Sequence, residues 1–216
     1  MTIHSSSYIV CQKLLSMNAH LGRRVAAHHF KVETFGSRNS IAILDSDKTL
    51  LCLRNALNFI GSPIRQKGRS FFLKNKNLFL SEIMEEMASC INDPQWRIGA
   101  FFSHSCSSPK HSSSRKKKIN DGQQPDCVVI LDADRKSSVL LDRSQIPIAS
   151  LVDSTIPLGS YQRITYPIPA NAPIQFVYLF RNSITKTVIL ERGRKIQQVQ
   201  ETAEQKKIID RPFPRA

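Results

Sequence analysis

The apolar positions of this chain fall into two kinds of stretch: short unbroken runs and longer segments at helical spacing. Cys127-Val128-Val129-Ile130-Leu131 and residues 146–152 are apolar runs of strand length that end at Asp132 and Asp153. Near-continuous runs of this kind belong to strands buried on both faces. Residues 135–143, between them, leave room for a brief helix at most. Upstream, the β-branched run Ile41 to Leu44 predicts the first long strand and ends at Asp45. Residues 45–49 then supply cap-type side chains, and Leu50, Leu51, Leu53, Ala56, Leu57 and Ile60 recur at helical spacing up to Gly61. A second strand is expected over residues 69–73, and a second helix over 78–91, with Leu80, Ile83, Met84, Met87 and Ala88 on one face. Residues 96–102 predict a third strand entered from the Asp93-Pro94 turn.

The two ends read less regularly. Ile9, Val10, Leu14 and Leu15 suit a short helix over residues 8–17, with Gly22 as its stop. After a turn at Pro157-Leu158-Gly159-Ser160, residues 164–168 form an edge segment, because Pro167 and Pro169 would interrupt the ladder of a central strand. Ile174, Phe176, Val177, Leu179, Phe180, Ile184 and Val188 mark a closing helix with Pro173 near its first turn. Residues 191–216 are a polar tail of mixed charge, helical as far as Gln205.

Strands alternating with helices imply a three-layer α/β domain with a mainly parallel sheet of about five strands, flavodoxin-like or Rossmann-like. Asp45, Asp132 and Asp153 would then lie at one carboxyl edge of that sheet, where open α/β folds place ligands.

Charge changes the picture from fold to partner. The chain of 216 residues carries a formal +14, which implies a polyanionic partner. That charge is segmental: residues 1–40, 61–80 and 97–120 hold sixteen of the 31 basic side chains and one of the 17 acidic ones, Glu33. The last window centres on Ser112-Ser113-Ser114-Arg115-Lys116-Lys117-Lys118. A stretch so poor in apolar residues cannot order itself, so 103–124 is expected to be a flexible basic loop. Five cysteines, widely spaced and without a C-x-x-C pair, argue against a disulfide framework or a structural zinc site. No apolar run approaches the roughly 18 residues of a membrane span. The amino end has no acid before Glu33 and is rich in Ser, Arg and His, as organelle presequences are. It is nevertheless read mainly as part of the mature protein.

The chemistry expected of a nucleotide enzyme is missing from the motifs. The first strand-to-helix turn, Leu44-Asp45-Ser46-Asp47-Lys48-Thr49, has no glycine to wrap a pyrophosphate and two aspartates to repel it. The histidines form no H-E-x-x-H, and Glu82, Glu85 and Glu86 sit early on the polar side of a helix, where carboxylates favour the dipole. One enzymatic alternative retains a geometric basis, a divalent-metal cluster of Asp45, Asp132 and Asp153, although capping accounts for strand-end aspartates equally well.

Six pieces of the chain carry a family resemblance. Residues 125–132 (PDCVVILD), 146–155 (IPIASLVDST) and 166–171 (YPIPAN) resemble the closing half of the small-subunit ribosomal protein two family. Residues 19–24 (AHLGRR) and 35–50 (FGSRNSIAILDSDKTL) resemble its opening half, and Trp96-Arg97 with Gly99 is similar to its "RWxGG" segment. The pieces run in order over roughly residues 14–189. The chain departs from the family in having the basic loop where a helical hairpin is inserted, and Asn171-Ala172 in place of Asn-Asp.

The resemblance implies a structural constituent of the small ribosomal subunit that binds its ribosomal RNA and neighbouring ribosomal proteins. It implies no enzymatic activity, cofactor, metal, small-molecule substrate or membrane. The expected RNA contacts are Arg23, Arg24, Arg38, Arg97, Lys110, Arg115, Lys116, Lys117 and Lys118. Residues 1–18 would be an amino-terminal arm or helix, 19–190 the α/β domain and 191–216 the tail. The absence of the hairpin points to an organelle ribosome, with mitochondrion ahead of plastid. Two other classes stay open: a free-standing RNA-binding module and a divergent metal-dependent phosphoryl-transfer enzyme.

Overall fold

Apolar runs buried on both sides become the middle of a sheet, and the chain winds its helices and turns around them. The computed structural model describes residues 2–23, 26–66, 68–73, 78–91, 96–99, 125–131 and 145–209, by backbone alone at 2–8, 96–99 and 203–209. In chain order the elements are α1 (Thr2–Ser16), a 3-10 turn (His28–Glu33), β1 (Thr34–Arg38), β2 (Ile41–Leu44), α2 (Ser46–Arg65), β3 (Ser70–Leu73) and α3 (Leu78–Ile91). They continue with β4 (Trp96–Gly99), β5 (Cys127–Ile130), β6 (Ile148–Val152), α4 (Leu158–Tyr161), β7 (Tyr166–Pro169) and α5 (Ile174–Ile209).

Strands β4-β3-β5-β6-β7 form one sheet, parallel throughout. Counted from β3 along the chain this order is 2-1-3-4-5, the flavodoxin-like winding. Every residue of β3, β5 and β6 is buried, as their unbroken apolar sequences require. Alternation then sorts the side chains. Phe72, Val129, Ala149, Leu151 and Ile168 face a core shared with α1, α2, α3 and α5. Phe71, Leu73, Val128, Ile130, Ile148 and Val152 face a second core closed by Phe30, Leu44, Ile156 and Ile164. β7, with Pro167 and Pro169, pairs with β6 at the edge of the sheet, where missing donors are tolerated.

Three expectations are corrected. Ile41–Leu44 does not open the parallel sheet: it pairs antiparallel with Thr34–Arg38 in a separate two-stranded hairpin. Only alternate residues of β2 are buried, which suits a ladder packed on one face. Asn39 and Ser40, at φ of 51° and 62°, supply the two left-handed residues of the tight reversal before it. Asp45 therefore follows a hairpin strand, the three aspartates do not share the carboxyl edge of one sheet, and Asp132 lies outside the described residues.

Gly22 does not stop α1, which is also longer than expected. Asn18, at φ 55°, ends it: its N–H donates to the Leu15 carbonyl (3.0 Å) and that of Ala19 to Leu14 (3.1 Å). Of the cap-type residues 45–49, Asp45 caps α2, its Oδ1 accepting from the N–H groups of Asp47 (3.0 Å) and Lys48 (3.4 Å). Thr49 is buried, and its hydroxyl donates to the Pro169 carbonyl, tying α2 to β7. The basic loop and residues 135–143 lie outside the described residues.

Candidate nucleic-acid interface

The first basic window folds into a ladder seated on the carboxyl rim of the sheet. Segment 20–23 runs beside β2: Leu44 N–H donates to the His20 carbonyl (2.7 Å), Gly22 N–H to Ala42 (2.7 Å) and Ala42 N–H to Arg23 (3.3 Å). Leu21 bridges Ile43 antiparallel. Gly22 is required by proximity, since a Cβ there would come within 2.9 Å of Ser154 Oγ and 3.1 Å of Ala42 Cβ. The ends of β6 and β7 hold the segment down. Ser154 Oγ accepts from Arg23 N–H (2.9 Å), the Ser154 carbonyl from Ala27 N–H (2.8 Å), and the Ala19 carbonyl from Asn171 N–H (2.9 Å).

Arg23 and Arg38 are thereby brought onto one ladder. Arg38 ends β1 opposite Ile41, next to Ala42, which Arg23 meets from the other side. Arg23 Nε lies 2.9 Å from Asp153 Oδ2, while its side chain stays 67% exposed. Asp153 Oδ1 accepts from the Thr155 N–H (2.7 Å) and hydroxyl (2.6 Å), so this strand-end carboxylate is occupied by its own turn and by Arg23. Lys31 and Arg38 are exposed, as are Val32 (70%) and Phe35 (84%).

The one acid of this window faces inward. Glu33 Oε1 accepts from the Tyr161 hydroxyl (3.2 Å), in a cluster where Phe30 is fully buried and the rings of His29 and Tyr161 lie 5.5 Å apart. Burial, and then the neighbouring Glu33, push the Tyr161 phenol up to about 12. The contact leaves the outer side of the ladder to cations.

The remaining expected contacts are not brought to this ladder. Arg97 lies in β4, the far edge strand, with two strands between it and β6. Arg24, Lys110, Arg115, Lys116, Lys117 and Lys118 lie outside the described residues.

A second basic cluster went unread in the sequence because the tail looked electrically mixed. Arg65, Glu191, Arg194, Lys195 and Gln198 line a cleft of about 290 Å³ between α2 and α5. Arg194 Nη1 is 2.8 Å from Glu191 Oε1, and Arg65 Nε is 3.6 Å from Oε2. Lys195 Nζ donates to the Ile64 carbonyl (3.3 Å) at the end of α2, and Arg192 Nη1 to the Ile91 carbonyl (2.8 Å) at the end of α3. Cations suit these positions, because a helix ends on unpaired carbonyls and a partial negative charge. The readable signal was the spacing of 191, 194 and 195, which shares one helix face.

With this geometry in hand, known proteins give a consistent comparison. The profile of the family described as Ribosomal protein S2 matches residues 14–96. The small ribosomal subunit protein uS2m of Arabidopsis thaliana is 45% identical over 205 residues, covering 89% of this chain and 91% of the relative. That of Marchantia polymorpha is 38% identical over 227 residues, covering 88% and 95%. The small ribosomal subunit protein uS2 of Pseudoalteromonas atlantica is 24% identical over 227 residues, covering 85% and 91%. Identity at this level across nearly the whole of both chains, on a flavodoxin-like sheet carrying a cationic ladder, leads to one conclusion: the chain belongs to the ribosomal protein S2 family.

Proposed function

We infer that this chain is a structural constituent of the small subunit of the mitochondrial ribosome, associated with ribosomal RNA and with other ribosomal proteins. Family membership and the uS2m names of the plant relatives support the reading. As a member of a ribosomal protein family the chain acts by binding and not by catalysis. The observation that carries the RNA contact is the pinned ladder, on which Arg23 and Arg38 stand together while Glu33 is turned toward Tyr161. Lysine and arginine side chains neutralise phosphates, and a rigid scaffold decides where they point. Arg24, Arg97, Lys110 and residues 115–118 are further proposed contacts from the same charge pattern.

Gradient sedimentation of a mitochondrial extract tests the reading. The chain is expected to travel with the small subunit at moderate salt and to leave it only at high salt. Migration as a free protein at moderate salt would overturn the assignment.

A further inference from the structure

We propose that Phe35 is a stacking surface for an unpaired nucleobase, with Lys31 and Arg38 engaging the phosphates on either side, so that the hairpin grips single-stranded RNA rather than a duplex. The inference rests on the ribosomal reading above and deepens it.

Single exposed apolar residues are common and by themselves mean little. The mounting of Phe35 is what distinguishes it. The residue is 84% exposed, yet the backbone on both sides is fixed. The ladder register passes from Thr34↔Leu44 to Gly36↔Ile43, so Phe35 is the extra residue of a bulge and has no partner across the strands. On one side the 3-10 turn is anchored by buried Phe30 and by the Glu33–Tyr161 hydrogen bond. On the other side the two-residue turn at Asn39-Ser40 closes the hairpin. Gly36 adds no side chain that could shield the ring.

Charge decides the class of partner. Lys31 lies four residues before Phe35 and Arg38 three after, both exposed, and the intervening carboxylate of Glu33 is bonded to Tyr161. An aromatic face flanked by cations suits a nucleic acid whose bases are unstacked: the base covers the ring and the backbone meets the charges. A duplex keeps its bases stacked and leaves the ring without a ligand. A protein partner would call for a broader apolar surface than Phe35 and Val32 provide.

Purified small subunits containing the wild-type chain are irradiated with ultraviolet light, digested with trypsin and searched for peptides bearing a nucleotide mass. The expected result is an adduct on peptide 32–38, kept by Phe35→Tyr and lost by Phe35→Leu while the variant protein still sediments with the particle. With the full-length chain in isolation, Phe35→Leu is expected to weaken binding to oligouridylate about tenfold and to leave binding to duplex RNA unchanged. A wild-type chain that sediments with the subunit but gives no adduct on 32–38 overturns the stacking and leaves the ribosomal reading intact. So does a protein–protein crosslink through this hairpin without an adduct. A wild-type chain absent from the subunit overturns both.

Discussion

Arg23 shows how a single residue can be both anchored and available. Its side chain is 67% exposed in the pair with Asp153, and pairs open to solvent in this way contribute only about 0–1 kcal/mol. The firmer hold is on its backbone, whose N–H is received by the buried hydroxyl of Ser154. The side chain can therefore exchange a carboxylate for a phosphate without loosening the main chain. Tyr161 gives the residue-scale prediction. Its phenol is raised from 10.0 to about 12 by burial and by Glu33, so between these values the folded chain holds a proton that the unfolded chain has released. Stability from this group is full below pH 10 and disappears as pH rises toward 12. Urea midpoints for wild type and Tyr161→Phe are expected to diverge over that window, with the variant losing less stability on going from pH 10 to 12.

At the scale of elements, α5 does more than close the fold. Its first half is buried against α2 and α3, with Phe176, Val177, Phe180, Ile184 and Val188 in the core, and its next turns place Arg192 and Lys195 on the last carbonyls of those helices. Removing both cations by Arg192→Ala with Lys195→Ala is expected to cost about 1–3 kcal/mol, at roughly 0.5–1.5 kcal/mol per bond, read as a lowered denaturation midpoint at unchanged slope. Helix α3 was legible to the residue, and β5 and β6 nearly so, because an apolar stripe or an unbroken run states its own burial. Two of the missed details share one cause. Asn18 ending α1 and Asn39-Ser40 turning the hairpin are left-handed backbone positions without glycine, which composition does not announce. A third, the hairpin membership of Ile41–Leu44, follows from the second. In the candidate site the cations Arg23 and Arg38 were readable as charge, but Phe35 was not, since an aromatic in the sequence looks the same whether it ends in a core or in solvent.

For the molecule as a whole, the net +14 is a binding term before it is anything else. Each phosphate left without its cation should make the dependence of RNA affinity on salt shallower by about 0.7 in the logarithmic slope, the value for a single strand. Filter binding of the full-length chain across a salt series is expected to show that decrease for Arg38→Gln, and one up to four times as large when the four cations of residues 115–118 are neutralised together. An unchanged slope removes the mutated position from the interface.

The stitching of the amino-terminal ladder also has a consequence for the order of assembly. Arg23 and Ser154 are 131 residues apart in sequence, and Thr49 and Pro169 are 120 apart. Closing loops of that length is slow compared with forming a hairpin or a helical turn. During synthesis the ladder residues emerge early, while the rim that receives them is made near the end. The grip of this protein is thus completed only when its closing strands have joined the sheet, and a chain cut short before them would carry the charges without a fixed direction.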